Sequence, residues 1–248
     1  MKSIECKGDN EVKFEESLFV INGASSIEFD TVEINKVSVT NGAAIIMQDA
    51  TDKVSSVKIE GLSMNEVKSE KGLSAGVKIK MVDSGSKVEM GKDKKCSFKS
   101  CVATAGNAGA IFIEMKKADD HLKLPGEGKL ELANTNKGKD SSVASLCIIA
   151  EDFDDFCKKE GSFEFAKDYN DGNKGWIVGA KEEGGDLEDV YEKYLKKEEP
   201  KEEPEPEKKK SNAGTIVAIV VPIVVVVIVV VVVIIVIVVV RKKRSRNY

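Results

Sequence analysis

Arginine is absent from the first 240 residues of this 248-residue chain, and histidine and tryptophan occur once each, as His121 and Trp176. A nucleic-acid binder needs a basic patch with interleaved aromatics, and none is present. The β-structured lyases that cleave polysaccharides use arginine beside acidic metal ligands, and here there is no arginine to serve. With one histidine in a charged stretch, neither a Ser-His-Asp nor a Cys-His set can be assembled. The five cysteines, Cys6, Cys96, Cys101, Cys147 and Cys157, are too sparse for a disulfide scaffold. No Asn-x-Ser/Thr acceptor occurs, and the N-terminal MKSIECKGDNEVKF has no apolar core of a secretory signal. Phosphate-binding loops are missing too: GEGKLEL at Gly126 lacks the third glycine of a dinucleotide loop, and GKDKKCS at Gly91 lacks the P-loop pattern.

One stretch has the opposite character. Residues 216–240 carry no charge and are nearly all Val or Ile. About 20 apolar residues suffice to cross a bilayer. The run is therefore expected to be a transmembrane helix over 213–240, despite its β-branched content, because only a helix satisfies its backbone within one segment in lipid. Pro222 is expected to kink it. Arg241, Lys242, Lys243, Arg244 and Arg246 follow at once as a membrane stop in the tail 241–248, and cationic flanks favour the cytoplasmic side. Removing these five from 38 basic residues leaves 33 against 42 acidic ones, about −9 for residues 1–240. The expected topology is single-pass in the plasma membrane, with residues 1–197 outside. The missing signal leaves two readings, a start upstream of Met1 or a tail anchor with the bulk in the cytosol, and the first is preferred.

Upstream of the run, residues 198–212 hold three prolines and almost nothing apolar, the composition of an extended linker. At about 3.1 Å per residue it would reach about 45 Å. Residues 186–197, DLEDVYEKYLKK, place Leu187, Val190, Tyr191, Tyr194 and Leu195 at helical spacing, with Asp186 as N-cap. They are expected to form an amphipathic helix capping the domain 1–185.

That domain carries a repeat. GAAIIM, SAGVKIKM, GAIFIEM, VASLCII and KGWIVGA share a form, and their anchors Ile45, Val77, Ile111, Leu146 and Ile177 are 32, 34, 35 and 31 apart. A second set, Ile27-Glu-Phe29, Val57-Lys-Ile59, Cys96-Ser-Phe98, Leu130-Glu-Leu132 and Phe163-Glu-Phe165, precedes them at steps of 30, 39, 34 and 33. A fainter third set holds Val88-Glu-Met90 and Leu122-Lys-Leu124. Val12–Phe14 and Leu18–Ile21 read as strands of an earlier, partial coil. Every segment alternates inward and outward residues, the period of a half-buried strand. A unit of about 33 residues with two or three strands buries its apolar face only by stacking on copies of itself. The expected fold is all-β, a parallel β-helix of about five coils; an immunoglobulin-like sandwich would not explain the near-constant spacing. Glycine before several second strands fits corners with positive φ.

The best-preserved unit, CSFKSCVATAGNAGAIFIEM from Cys96 to Met115, resembles the Phe-x-x-Cys and Gly-Gly-Ala-Ile repeat of right-handed β-helix proteins, familiar from polymorphic outer-membrane autotransporters. Similar repeats occur on surface proteins of single-celled parasitic and symbiotic eukaryotes with a C-terminal span. Phe98 and Cys101 match the first half; Gly109, Ala110 and Ile111 match the second. Gly42-Ala43-Ala44-Ile45 is a looser match. The resemblance implies a cell-surface β-helix with an adhesive or protective role and no catalytic residues. Phe98 and Cys101 would then point inward. Cys96 and Cys101 are expected as buried thiols, with a disulfide between them as the alternative and a zinc site disfavoured by the missing partners.

Catalysis on sugars would need paired carboxylates. Asp119/Asp120 and Asp152/Asp154/Asp155 are the candidates, and all sit in turn-like stretches where Asp serves turn chemistry. His121 is expected as a solvated surface residue, and Trp176 as packing at the end of the stack. The function expected is non-catalytic display of a β-helix for adhesion, recognition or coat formation. The partners expected are the lipid bilayer, an extracellular protein or glycan and other copies of the chain; no nucleic acid, metal or cofactor is implied. The alternatives are a tethered carbohydrate-active hydrolase or lyase and a tail-anchored cytosolic scaffold.

Overall fold

A computed structural model describes residues 11–50, 52–133 and 144–196. The chain divides into a compact unit over 1–197 and a second over 198–248. The linker 198–212, the span 213–240 and the tail 241–248 with Arg241, Lys242, Lys243, Arg244 and Arg246 lie outside the described residues. Among the described residues no helix is long and apolar enough to cross a membrane.

The first unit is a parallel β-solenoid of about four turns. Each turn visits four sheets in the same order. Sheet 1 holds Val12–Phe14, Val37–Val39, Lys68–Ser69 and Val102–Ala103. Sheet 2 holds Phe19–Asn22, Ile45–Gln48, Val77–Met81, Ala108–Met115, Ala144–Ala150 and Ile177–Ala180. Sheet 3 holds Ser26–Asp30, Ser56–Glu60, Lys87–Met90 and Leu122–Lys123, and sheet 4 holds Glu33–Asn35, Ser63–Asn65, Cys96–Lys99 and Leu130–Ala133. The inward residues of successive turns stack in columns and form one core. The sequence anchors are one such column: Ile45 pairs with Val77, Val77 with Ile111, Ile111 with Leu146 and Leu146 with Ile177.

The second set of segments spans two sheets rather than one. Val57 pairs with Ile27 and with Val88, and Val88 with Leu122, all in sheet 3. Phe98 pairs instead with Met64 and Leu132 in sheet 4. The outlying step of 39 marks the change of sheet, and the faint third set belongs with Ile27 and Val57. Each turn therefore has four strands, not two or three.

The corners explain the fourth strand. Between sheets 3 and 4 a single residue takes positive φ at Thr31, Gly61 and Gly91; between sheets 4 and 1 the same happens at Lys36, Glu66 and Ser100. Except at Gly91, where residues 91–95 intervene, one left-handed residue turns the chain sharply enough that at most two residues separate the strands, so a run such as CSFKSCVA holds a strand, a corner and a second strand. Before sheet 2 positive φ occurs at Gly42, but Gly76 and Gly109 lack it. Close approach explains Gly76, where an added Cβ would lie 2.5 Å from the Ala110 carbonyl oxygen.

Among the described residues four turns carry strands in all four sheets, against about five expected, and the fifth has strands in sheet 2 alone. After its sheet 2 strand it continues as helix α1 (Phe153–Lys158) and the 3-10 turns Glu164–Ala166 and Asp171–Asn173. Phe163-Glu-Phe165, which reads as a strand, is thus helical. A strand there would have no following coil to pair with, whereas a helical turn satisfies its own backbone. The capping helix also differs from expectation. Glu188–Asp189 form a short strand antiparallel to Ile177–Ala180, and only Tyr191–Leu195 form a helical turn, of the i→i+5 type. Asp189 explains the break, since its carboxylate accepts from the backbone N–H of Gly175 at 2.8 Å and of Tyr191 at 3.0 Å. Val190 and Tyr191 are buried and Tyr194 and Leu195 pack on the core, while Leu187 is exposed.

Candidate interaction surfaces

The repeat residues are interior. Phe98, Cys101, Gly109, Ala110 and Ile111 are all buried. Cys101 follows the left-handed corner at Ser100, and its Sγ lies 3.6 Å from the Lys99 carbonyl oxygen and 3.9 Å from that of Met64. Cys96, Cys101, Cys147 and Cys157 are free thiols. Burial pushes the thiols of Cys101, Cys147 and Cys157 up to about 12, so the nucleophilic thiolate is suppressed. Burial raises Cys96 as well.

The candidate carboxylates hold the solenoid together. The Asp152 carboxylate accepts from the backbone N–H of Ala118 at 2.7 Å and of Asp119 at 3.1 Å, clamping the loop of the preceding turn. Asp49 does the same for the following turn: it accepts from Val82 and Asp83 N–H at 2.8 and 3.0 Å and from the Ser86 hydroxyl at 2.8 Å. Glu60 accepts from Asp93 and Lys94 N–H at 3.1 and 2.8 Å. Sequence reasoning passed over Asp49 and Glu60; their positions, Asp49 just past a sheet 2 strand and Glu60 at the end of a sheet 3 strand, were the available signal. Asp119 and Asp120 both engage Lys159. Asp154 pairs with Lys181 at 2.8 Å and accepts from the Tyr194 hydroxyl at 2.5 Å, and these contacts, the lysine foremost, hold its carboxyl well below the usual carboxylate range. Asp155 is exposed. Among the described residues no group of three His, Cys, Asp or Glu is placed to hold a metal ion.

His121 is not the solvated residue its polar neighbourhood suggested. It is half-buried beside Lys87 and Asp120, with an Nδ1 that has no partner among the described residues. Its position directly before the sheet 3 strand Leu122–Lys123 puts it in the outward column with Ser56 and Lys87. Trp176 closes a chain of rings at the end of the stack. It lies 5.8 Å from Tyr169, which lies 6.2 Å from Phe165, and Phe163 and Phe156 continue the series.

Among the described residues, an open groove of about 360 Å³ runs past the ends of the sheet 2 strands, beside Met81, Glu114, Glu151, Lys181 and Glu182. Another of about 380 Å³ lies between Leu122–Leu124 and Phe156–Ser162. In the first groove Glu114 pairs with Lys80 at 2.7 Å, and in the second Asp120 engages Lys159.

The outer faces differ in character. In sheet 3, Glu28, Lys58, Glu89 and Lys123 stand in one column of alternating sign. In sheet 4, Glu131 pairs with Lys95 at 2.8 Å and Lys99 at 3.2 Å. Sheet 2 changes along its length. Its outward column runs from Val20 through Ile46 and Lys78 to Phe112, Cys147 and Val178, and the last three join Ala108, Ala144 and Ile149 in a second buried apolar cluster. The unbroken apolar run LCIIA, residues 146–150, is the sequence sign of a strand buried on both faces.

Comparison of the chain with protein-family models, with curated proteins and with solved structures finds no match.

Proposed function

We propose that this chain is a single-pass membrane protein that displays a β-solenoid at the cell surface for adhesion, recognition or coat formation. The run 216–240 with its basic tail carries the membrane part of this reading. The engagement of the candidate carboxylates supports a non-catalytic role: Asp152 clamps backbone, and Asp119, Asp120 and Asp154 are held by lysines or a tyrosine. The solenoid is taken as right-handed and of the surface-repeat type found in single-celled eukaryotes, on the likeness of Cys96 to Met115 to that repeat. The outer faces, rich in lysine and glutamate, suit contact with an extracellular protein or glycan.

The test is protease added to intact cells that express the chain with a tag on each side of 216–240. Digestion of the N-terminal region with survival of the tail is the expected result. A protected N-terminal region would overturn surface display and assign the chain to the tail-anchored cytosolic arrangement. Depolymerisation of a polysaccharide by the purified chain, abolished by Asp154→Asn, would instead assign it to a tethered enzyme.

A further inference from the structure

The outward side of sheet 3 holds a small open pocket of about 150 Å³ over the strands Ser56–Glu60, Lys87–Met90 and Leu122–Lys123. Two outward columns meet there. Ser56, Lys87 and His121 stand in one, and Lys58, Glu89 and Lys123 in the next.

The charges of this pocket are unevenly matched. Its two carboxylates are engaged: Glu89 pairs with Lys92 at 3.9 Å, and Asp120 pairs with Lys159. Lys58 is paired with Glu28 at 3.9 Å. Lys87 and Lys123 form no ion pair and donate no side-chain hydrogen bond among the described residues. They lie diagonally across one ladder, so strand spacing and rise set their Cα atoms roughly 8 Å apart. Two long ammonium side chains at that separation repel each other unless an anion lies between them.

His121 adds an unsatisfied atom. The ring is half-buried, and its Nδ1 is buried without a partner among the described residues. With a proton on Nδ1 it is a donor without an acceptor, a cost that an anion oxygen within reach removes.

The setting selects the ligand. Water takes up about 30 Å³ in the liquid, so the pocket has room for one compact group such as a sulfate or carboxylate. The strands Ser56–Glu60 and Lys87–Met90 are paired on both sides, so a peptide cannot dock here by strand addition. The pocket shares Asp120 and Lys123 with the groove of about 380 Å³ beside Phe156–Ser162, which gives an extended carrier a track to follow. A chain of sugar rings bearing sulfate or carboxylate groups fits both parts.

We propose that Lys87, Lys123 and His121 form a site for the sulfate or carboxylate group of an acidic glycan. The choice of a glycan as carrier rests on the surface-display reading, and the anion site does not.

The test is titration of the full chain in detergent with a heparin octasaccharide, followed by nuclear magnetic resonance of the His121 ring. The chain has one histidine, so the ring signals have one source. They are expected to shift with the octasaccharide and, at higher concentration, with sodium sulfate, and to stay in place with a neutral dextran. Lys87→Gln and Lys123→Gln each remove a charge-assisted bond and are expected to weaken the affinity at least about tenfold. Lys71→Gln, at an exposed lysine between sheets 1 and 2, is expected to leave it unchanged. Ring signals that move with neither anion would overturn the site. A shift of full affinity in Lys87→Gln and Lys123→Gln would overturn it too, since the anion would then be held elsewhere, as at the basic tail 241–248. A response to sulfate without one to the octasaccharide would overturn the glycan as carrier. Should protease find the N-terminal region protected in cells while the octasaccharide still shifts the ring, the site stands and surface display alone falls.

Discussion

Phe98 shows what a single inward residue carries. It is fully buried, with Met64 below and Leu132 above in the same column. Truncation to alanine removes the ring and leaves a void that rigid neighbouring coils cannot fill. Phe98→Ala is expected to cost about 3–5 kcal/mol, read as a lower urea midpoint at unchanged slope. The buried cysteines give the molecule a pH dependence. Burial raises the thiols of Cys101, Cys147 and Cys157 from an ordinary 9.0 to about 12. A group whose folded value is raised contributes stability below its unfolded value and loses it as pH rises towards the folded one. Stability is therefore expected to fall as pH is raised from 9 towards 12, and Cys101→Ala to flatten that decline in urea titrations.

At the level of elements, the loops are fixed by carboxylates from neighbouring turns. Asp152 precedes α1 yet bonds to the loop at Ala118 and Asp119, so the start of the cap and the fourth turn are tied together. Asp152→Asn keeps one acceptor and loses the charge. It is expected to cost about 1–3 kcal/mol and to speed exchange of the Ala118 and Asp119 amides before the core loosens. The C-terminal cap is the second such element. Val190 is fully buried between the Glu188–Asp189 strand and the helical turn that follows. Val190→Asp buries a charge without a partner and is expected to release both. The edge of Ile177–Ala180 would then be open, and light scattering on mild heating should show aggregation well below the parent's onset. The apolar spacing in 186–197 correctly marks Val190, Tyr191, Tyr194 and Leu195 as core-facing. It does not reveal that Asp189, through its bonds to Gly175 and Tyr191, ends one element and begins another, because the bond to Gly175 joins residues 14 apart.

For the whole molecule, the solenoid turns local periodicity into long-range order. Each parallel ladder joins residues about one turn apart, as in Ile45 with Val77 or Phe98 with Leu132, and only the antiparallel pair of Ile177–Ala180 with Glu188–Asp189 is local among the described strands. Loop-closure entropy must be met before any ladder forms, so refolding from urea is expected on the scale of about milliseconds to seconds or slower, and not in the microseconds of a helical bundle. Stopped-flow fluorescence of Trp176, which sits in the terminal ring series, would report the last step.

The inward columns were legible from sequence because side-chain alternation and the turn length are properties of the chain itself. The anchors Ile45, Val77, Ile111, Leu146 and Ile177 read from spacing are register partners in the structure. The burial of Phe98 agrees with the same alternation, and that of Cys101 with what the resemblance of Cys96 to Met115 to the β-helix repeat implied. Composition marked the change of character after residue 197, where the first unit ends. The count of four sheets was not legible, since Lys36, Glu66 and Ser100 turn the chain with ordinary residues and no glycine signal. Nor were the carboxylate clamps, because Asp49, Glu60 and Asp152 find their partners 33 to 37 residues away. The helical plug at the fifth turn came from tertiary structure as well. Phe163-Glu-Phe165 has the pattern of a strand, and only the absence of a coil to stack on it decides that its backbone must satisfy itself.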